Sequence, residues 1–272
     1  MKNLLSPLIP SQLKNFLKKL LKVDQGKNQL EIDDRLLKSN EELFKTLDFD
    51  IVEVKSIIEK NDLAYTHPRL SWHYHIFAGI KSNLSKKGIN APKILEIGTH
   101  NALFAKFLSS VFADSEIFTV DLPEDNNQFQ STYRRDNDSQ RTSYLEKRNK
   151  ILALPNINFF EMDSTKILQC FGKERFDLIW VDGDHHNPQV TIDIMNALQL
   201  LNVDGIMCVD DIIMNENFDN KAYVSNESFL TLSKLENNNI ITTHFVNKRI
   251  HANQSTLKFV SISQKNNIEK FY

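Results

Sequence analysis

Lys93-Ile94-Leu95-Glu96-Ile97-Gly98-Thr99-His100-Asn101-Ala102 is the stretch on which the reading of this chain turns. A short apolar run breaks at a glycine, and helical spacing follows at once from Ala102 to Phe112. That is the signature of a strand passing through a tight turn into a helix. The texture repeats downstream: Glu116 to Asp121, Ile157 to Met162, Phe176 to Asp182 and Gly205 to Asp210 read as strands, with helical spacing at Thr165 to Phe171 and Gln189 to Leu201. Strands alternating with helices predict right-handed crossovers and a mainly parallel, doubly wound α/β sheet covered on both faces.

Further on, a helix near Asn226 to Leu235 is followed by Ile240 to Asn247 and Thr256 to Ser263, joined by a short connection that suits a hairpin. These two make seven strands, with an antiparallel pair finishing the sheet. Up to about residue 88 the pattern is helical. Asp33 or Asp34 can cap one helix and Asp48 or Asp50 the next, and Pro68 fits the first turn of a third. The expected organisation is a helical N-terminal extension over residues 1–90, serving as lid, dimerisation or substrate region, and a core over 91–272. Pro123 to Lys150, long, polar and charge-rich between two strands, reads as a binding loop or lid.

The 272 residues carry a formal net charge of -2, which disfavours tight non-specific binding to nucleic acid, since that affinity comes from clustered Lys and Arg. Cys170 and Cys208 lie in apolar contexts without metal-ligand spacing and read as buried thiols of a reducing, cytoplasmic compartment. Pro7 and Pro10 interrupt the first apolar stretch, so no signal peptide is expected, and no segment has the length and apolarity of a membrane span. Residues 11–23 form an amphipathic pattern, with Leu13, Phe16, Leu17, Leu20 and Leu21 on one face. The stripe is expected to pack on its own protein or on a partner subunit of a homo-oligomer, contact with an anionic membrane surface being the alternative.

In open α/β sheets ligands bind beyond the carboxyl ends of the strands, so the residues following each strand are the informative ones. The first ends in Glu96-Ile97-Gly98, the second in Asp121-Leu122, the third in Asp163-Ser164, the fourth in Asp182-Gly183-Asp184-His185 and the fifth in Asp210-Asp211. One such aspartate is readily a helix cap. An ordered series across neighbouring strands is a site. Glycine is scarce here, yet Gly98, Gly183 and Gly205 fall at strand boundaries, where close backbone approach or positive φ is needed.

On these residues, from about Lys93 to Asp211, the chain resembles the class I S-adenosylmethionine-dependent methyltransferases, with their Rossmann-like fold. The resemblance implies S-adenosylmethionine as methyl donor, in a site made of Glu96, Gly98, Thr99, Asn101, Asp121, Leu122, Asp163, Ser164 and Asp182. Gly98 would lie near the amino-acid part, Asp121 on the ribose hydroxyls, and Asp163 with Ser164 near the adenine. One departure is Ala102, where the family usually has a second loop glycine. A dinucleotide site would need Gly-x-Gly-x-x-Gly, and this loop offers one glycine.

Three carboxylates, Asp182, Asp210 and Asp211, would converge at one sheet edge and repel one another without a cation, which suits Mg²⁺. Asp211 can instead cap or form a salt bridge, and Asp184 can replace one ligand. The pattern is similar to the metal-dependent, sugar-directed O-methyltransferases of the macrocin type. His185 would then be the general base beside Asp182, with His186 in reserve, unless the pair only leads into the helix introduced by Pro188. The reading is methyl transfer to a hydroxyl of a small molecule or glycan, a sugar hydroxyl favoured. Its rivals are metal-independent transfer to another nucleophile and a non-catalytic binder of cofactor or partner. Outside the core, His67, Trp72, His73 and His75 offer a substrate-facing cluster or simple packing, and a helix there puts Trp72 beside His75 and Ile76. Arg134, Arg135, Arg141 and Arg148 offer anion contacts or a solvated loop.

Overall fold

The computed structural model describes residues 31–132, 137–221, 224–251 and 256–266. A helical run over residues 31–46 leads to α1 (Ile51–Lys60) and α2 (His73–Lys86). The sheet then begins with β1 (Ile94–Ile97), followed by α3 (Leu103–Val111) and β2 (Ile117–Asp121). After α4 (Asn127–Ser131) and α5 (Asp138–Leu152) come β3 (Ile157–Glu161), α6 (Ile167–Phe171), β4 (Phe176–Val181), α7 (Gln189–Leu200) and β5 (Leu201–Ile212). The last elements are α8 (Glu227–Asn237), β6 (Ile241–Asn247) and β7 (Phe259–Lys265). The seven strands form one sheet in the order β3-β2-β1-β4-β5-β7-β6, parallel except for β7. The doubly wound α/β architecture expected from the alternation is the observed one.

Side-chain alternation along the strands sorts the core into two layers. Ile94, Leu178, Trp180, Ile206 and Cys208 point to one face, where they meet Phe77 and Ile80 of α2, Phe107 of α3 and, beyond them, Phe44 and Ile58. Leu95, Ile97, Ile179, Val181, Met207 and Val209 point to the other, against Ile167 of α6, Ile194 and Ala197 of α7 and Leu232 of α8. β1 and nearly all of β4 are therefore buried on both faces, as parallel strands under helices must be. The described N-terminal helices are thus one of the two layers that bury the sheet.

Asp50 caps α1, accepting from the Val52 and Glu53 amides. Asp33 and Asp34 lie within a helix that already runs at residue 31, and so not at its start. Pro68 does not open the third helix: the chain turns through residues 67–72 first, and α2 starts at His73 with Trp72 at its cap. The stretch read as a long loop, Pro123 to Lys150, holds α4 and α5, capped by Asn126 and Asn137. α5 is polar almost all round, so it shows no apolar stripe. It is anchored by its cap, by Ile151 and Leu152 against Ala102, Ala105 and Ile157, and by Arg148, buried and paired with Glu124 at 2.5 Å and with Glu161 at 3.7 Å. Cys208 is buried as expected, but Cys170 is exposed, being on the outer side of the short α6. Residues 11–23, Arg134 and Arg135 lie outside the described residues. Among the described residues no helix is long and apolar enough to cross a membrane.

Candidate active site

Gly98 brings the two halves of the site together. Its φ of +103° is left-handed, and a Cβ there would stand 2.2 Å from the Asp182 carbonyl oxygen. Only a glycine lets the turn after β1 lie this close to the end of β4. The turn then continues through two further left-handed residues, His100 at +46° and Ala102 at +59°. Ala102 holds, as the N-cap of α3, a conformation that glycine adopts more readily.

Asp121, at the end of β2, takes the His100 amide on Oδ2 and the Leu122 amide on Oδ1, both at 2.8 Å. It therefore shapes the turn, and a carboxylate has acceptor directions beyond two backbone donors. Glu96 lies on the same sheet face as Trp180 and Asp210, fully buried, accepting from the Thr119 hydroxyl at 2.5 Å. Burial pushes its carboxyl up to about 8. The Thr99 hydroxyl also faces inward, 2.6 Å from that of Thr119, so Thr99 supports the turn from beneath. Asn101 caps the Leu103 amide through its side chain. Asp163 caps the turn before α6 through Thr165, and Ser164 accepts from Gln189 Nε2 at 2.6 Å. Gln189 also donates to Asp193, whose carboxyl burial pushes up to about 6. A cavity of about 490 Å³, lined by Asn101, Leu103, Tyr144 and Lys147 among others, flanks the turn on its α5 side. By the strand order it is on the β3 half, away from β5.

At the β4–β5 edge the three aspartates do converge, but not on a metal. Lys248 Nζ lies 2.5 Å from Asp210 Oδ2 and also bonds Asp211 Oδ1, while Lys258 Nζ lies 2.5 Å from Asp211 Oδ2. Burial alone would raise Asp211, yet Lys248, His185 and Lys258 hold its carboxyl well below the usual carboxylate range. Burial likewise works to lower Lys248, and Asp210 and Asp211 outweigh it. Desolvation and the charge of Asp210 push Asp182 well above its usual range, against the pull of Lys248. Asp210 Oδ1 has no hydrogen-bond partner among the described residues. Two ammonium groups thus stand against Asp210 and Asp211. A donor set already compensated in this way does not fit a divalent ion, and among the described residues no His, Cys, Asp or Glu cluster forms a metal site. The expectation of Mg²⁺ on Asp182, Asp210 and Asp211 gives way to the salt-bridge alternative at Asp211.

His185 stands in this corner, its Nε2 3.7 Å from Asp182 Oδ1 and 4.0 Å from Asp211 Oδ2. Burial lowers its pKa, so the ring is neutral near neutral pH. His186 is occupied on both ring nitrogens, by Asp184 at 3.2 Å and by the Lys221 carbonyl at 3.0 Å, which makes it a strut. In the helical layer, Trp72 and His75 stack at 4.2 Å, and His75 Nε2 meets the Tyr65 carbonyl. His73 bonds Ser71 and packs against Phe104 and Trp180. These residues pack, as the simpler reading had it. Arg141 pairs with Asp138 and Arg148 is buried, so neither is the anion contact considered for the loop.

Sequence reasoning missed Lys248, Lys258 and Tyr74, a half-buried phenol whose pKa is raised by desolvation and by Glu96 and Asp182. A signal for the lysines existed. β7 runs against β5, with Ile212 opposite Phe259, so the β6–β7 turn returns to the edge where β5 delivers its aspartates.

The strand order and the acid-lined turns converge with one comparison: residues 95–212 match the family described as a methyltransferase domain. Over that stretch the chain is similar to a methyltransferase domain. No curated protein matches the chain at a significant level. Among solved structures, the O-methyltransferase TomG from Streptomyces achromogenes, involved in tomaymycin synthesis, is 14% identical with a TM-score of 0.48. The match covers 84% of this chain and 96% of that one. Fibrillarin of Methanococcus jannaschii, a pre-rRNA processing protein, is 16% identical with a TM-score of 0.44, covering 65% of this chain and 68% of its own. At such identities no acceptor is carried from either to this chain.

Proposed function

We propose that this methyltransferase places a methyl group on a hydroxyl of a small molecule or glycan, a sugar hydroxyl being the favoured acceptor. The observation that carries the reading is His185, a neutral imidazole at the carboxyl edge of β4 within 4.0 Å of both Asp182 and Asp211. A hydroxyl is the acceptor class that most needs a proton removed, and a neutral imidazole takes one. Bound S-adenosylmethionine supplies an electrophilic methyl carbon on its sulfonium, which becomes a neutral thioether as the acceptor oxygen bonds that carbon and the carbon–sulfur bond breaks. The Gly98 turn would hold the amino-acid part, Asp121 the ribose, and Asp163 with Ser164 the adenine end. The hydroxyl proton passes to the imidazole of His185, and Asp182 and Asp211, within 4.0 Å of it, stabilise the imidazolium that forms. In this reading Lys248 and Lys258 supply the positive charge expected of Mg²⁺, so no step is routed through a metal.

Titration calorimetry with S-adenosylhomocysteine, followed by a screen of sugar-bearing acceptors, tests the reading. Binding with turnover is expected, and His185→Ala should bind the same ligand while kcat falls by about 10²–10⁴. Binding without turnover of any hydroxyl, or an undiminished His185→Ala enzyme, would remove it.

A further inference from the structure

The β6–β7 turn brings one ammonium group deep into the acidic corner. Lys248 is 10% exposed at its side chain and bonds Asp210 and Asp211 at once. An ammonium has three donors, so two carboxylate partners leave one for an acceptor oxygen. Its backbone is held on three sides: the Trp72 amide donates to the Lys248 carbonyl at 2.8 Å, and the Lys248 amide donates to the Lys258 carbonyl at 2.8 Å. On the third side, the preceding residue, Asn247, is hydrogen-bonded through its own amide to Asn40 at 2.9 Å. A charge fixed in this way needs no reorganisation when negative charge develops on a reacting oxygen.

We propose that Lys248 is a built-in substitute for a catalytic metal: its ammonium, locked between Asp210 and Asp211 and next to His185, is the fixed cation that the acceptor hydroxyl meets, and it keeps divalent ions out. The inference rests on reading the β4–β5 edge as the acceptor side. The transfer keeps the balance given above: the acceptor oxygen gains the methyl carbon, sulfur keeps the bonding pair, and the proton goes to His185. Lys248 gives up no proton and contributes a hydrogen bond to the oxygen. A dication placed among the same carboxylates would stand within a few ångströms of Lys248 and Lys258, where two like-charged neighbours oppose it.

The test uses the full chain and Mn²⁺ alone, read by electron paramagnetic resonance and calorimetry, so it needs no acceptor and is unaffected if the acceptor class is wrong. Wild type is expected to bind no stoichiometric Mn²⁺, whereas Lys248→Met, with Asp182, Asp210 and Asp211 intact, is expected to bind one. Lys248→Arg, which keeps the charge, should again bind none. If Lys248→Met does not fold, Lys248→Gln keeps a donor for Asp210 and serves in its place. One tightly bound Mn²⁺ in wild type overturns the proposal. So does a folded Met or Gln variant that binds none, since something other than Lys248 would then exclude the ion.

Discussion

Asn40 and Asn247, 207 positions apart, hold each other through three hydrogen bonds. The Asn40 amide donates to the Asn247 carbonyl at 3.0 Å, and Asn40 Oδ1 accepts from the Asn247 backbone and side chain at 2.9 and 3.0 Å. The pair is buried and ties the helical run 31–46 to the end of β6, one residue before Lys248. Asn40→Ala strands buried polar groups, each costing about 1–3 kcal/mol. The expected loss is about 3 kcal/mol, read as a Tm lower by roughly 6–12 °C. Thermal denaturation checks it, and a Tm unchanged from wild type would show that the clasp contributes nothing.

Gly98→Ala should be far more damaging than Gly88→Ala. Both positions have left-handed φ, +103° and +81°, but an added Cβ meets the Asp182 backbone at Gly98 and nothing within 4 Å at Gly88. The Gly88 change costs only the conformational term, about 1–2 kcal/mol. The Gly98 change adds overpacking of about 1–3 kcal/mol and separates β1 from β4. Denaturant midpoints of the two variants measure the difference directly. Equal midpoints would mean that the turn does not press on Asp182.

Glu96 makes the ligand-free protein sensitive to alkali. Its folded pKa, pushed up to about 8 by burial, lies above its ordinary value of 4.5, so between these the folded chain holds a proton that the unfolded chain has released. Its stabilising contribution is whole below about 4.5 and is lost as pH rises towards 8. Glu96→Gln, which keeps a partner for Thr119, should flatten this part of the pH–stability curve. Denaturant titrations of both proteins at pH 5 and pH 8 decide, and parallel curves would count against a protonated Glu96.

Asp121→Ala removes both carboxylate contacts that shape the turn after β1. Hydrogen bonds to a charged group are worth about 1.5–3 kcal/mol, so affinity for S-adenosylhomocysteine should fall by about 10- to 150-fold. Calorimetry on the folded variant measures it. Unchanged affinity would move the ribose elsewhere.

The strand ends were legible because their signals are local. Each parallel strand is a short apolar run, and the acidic residue or glycine at its carboxyl end follows directly in sequence, so Gly98, Asp121, Asp163 and Asp182 could be placed without knowing the topology. α5 was not legible, because its few apolar contacts gather at its C-terminal end and a buried arginine with charged partners stands in for an apolar stripe. The acidic corner was half legible. Asp182, Asp210 and Asp211 announce themselves on successive strands of the fold, but the groups that neutralise them arrive from a hairpin whose side is fixed only by β7 running against β5. From composition alone, carboxylates without a visible partner suggested an ion.

That antiparallel return also orders assembly in time. During synthesis every crossover of the parallel sheet, and both aspartates of β5, emerge before Lys248 and Lys258 do. Until the β6–β7 hairpin docks, the aspartates of β5 lack the two ammonium groups that pair with them, so the acidic corner closes only with the last strand pair of the sheet.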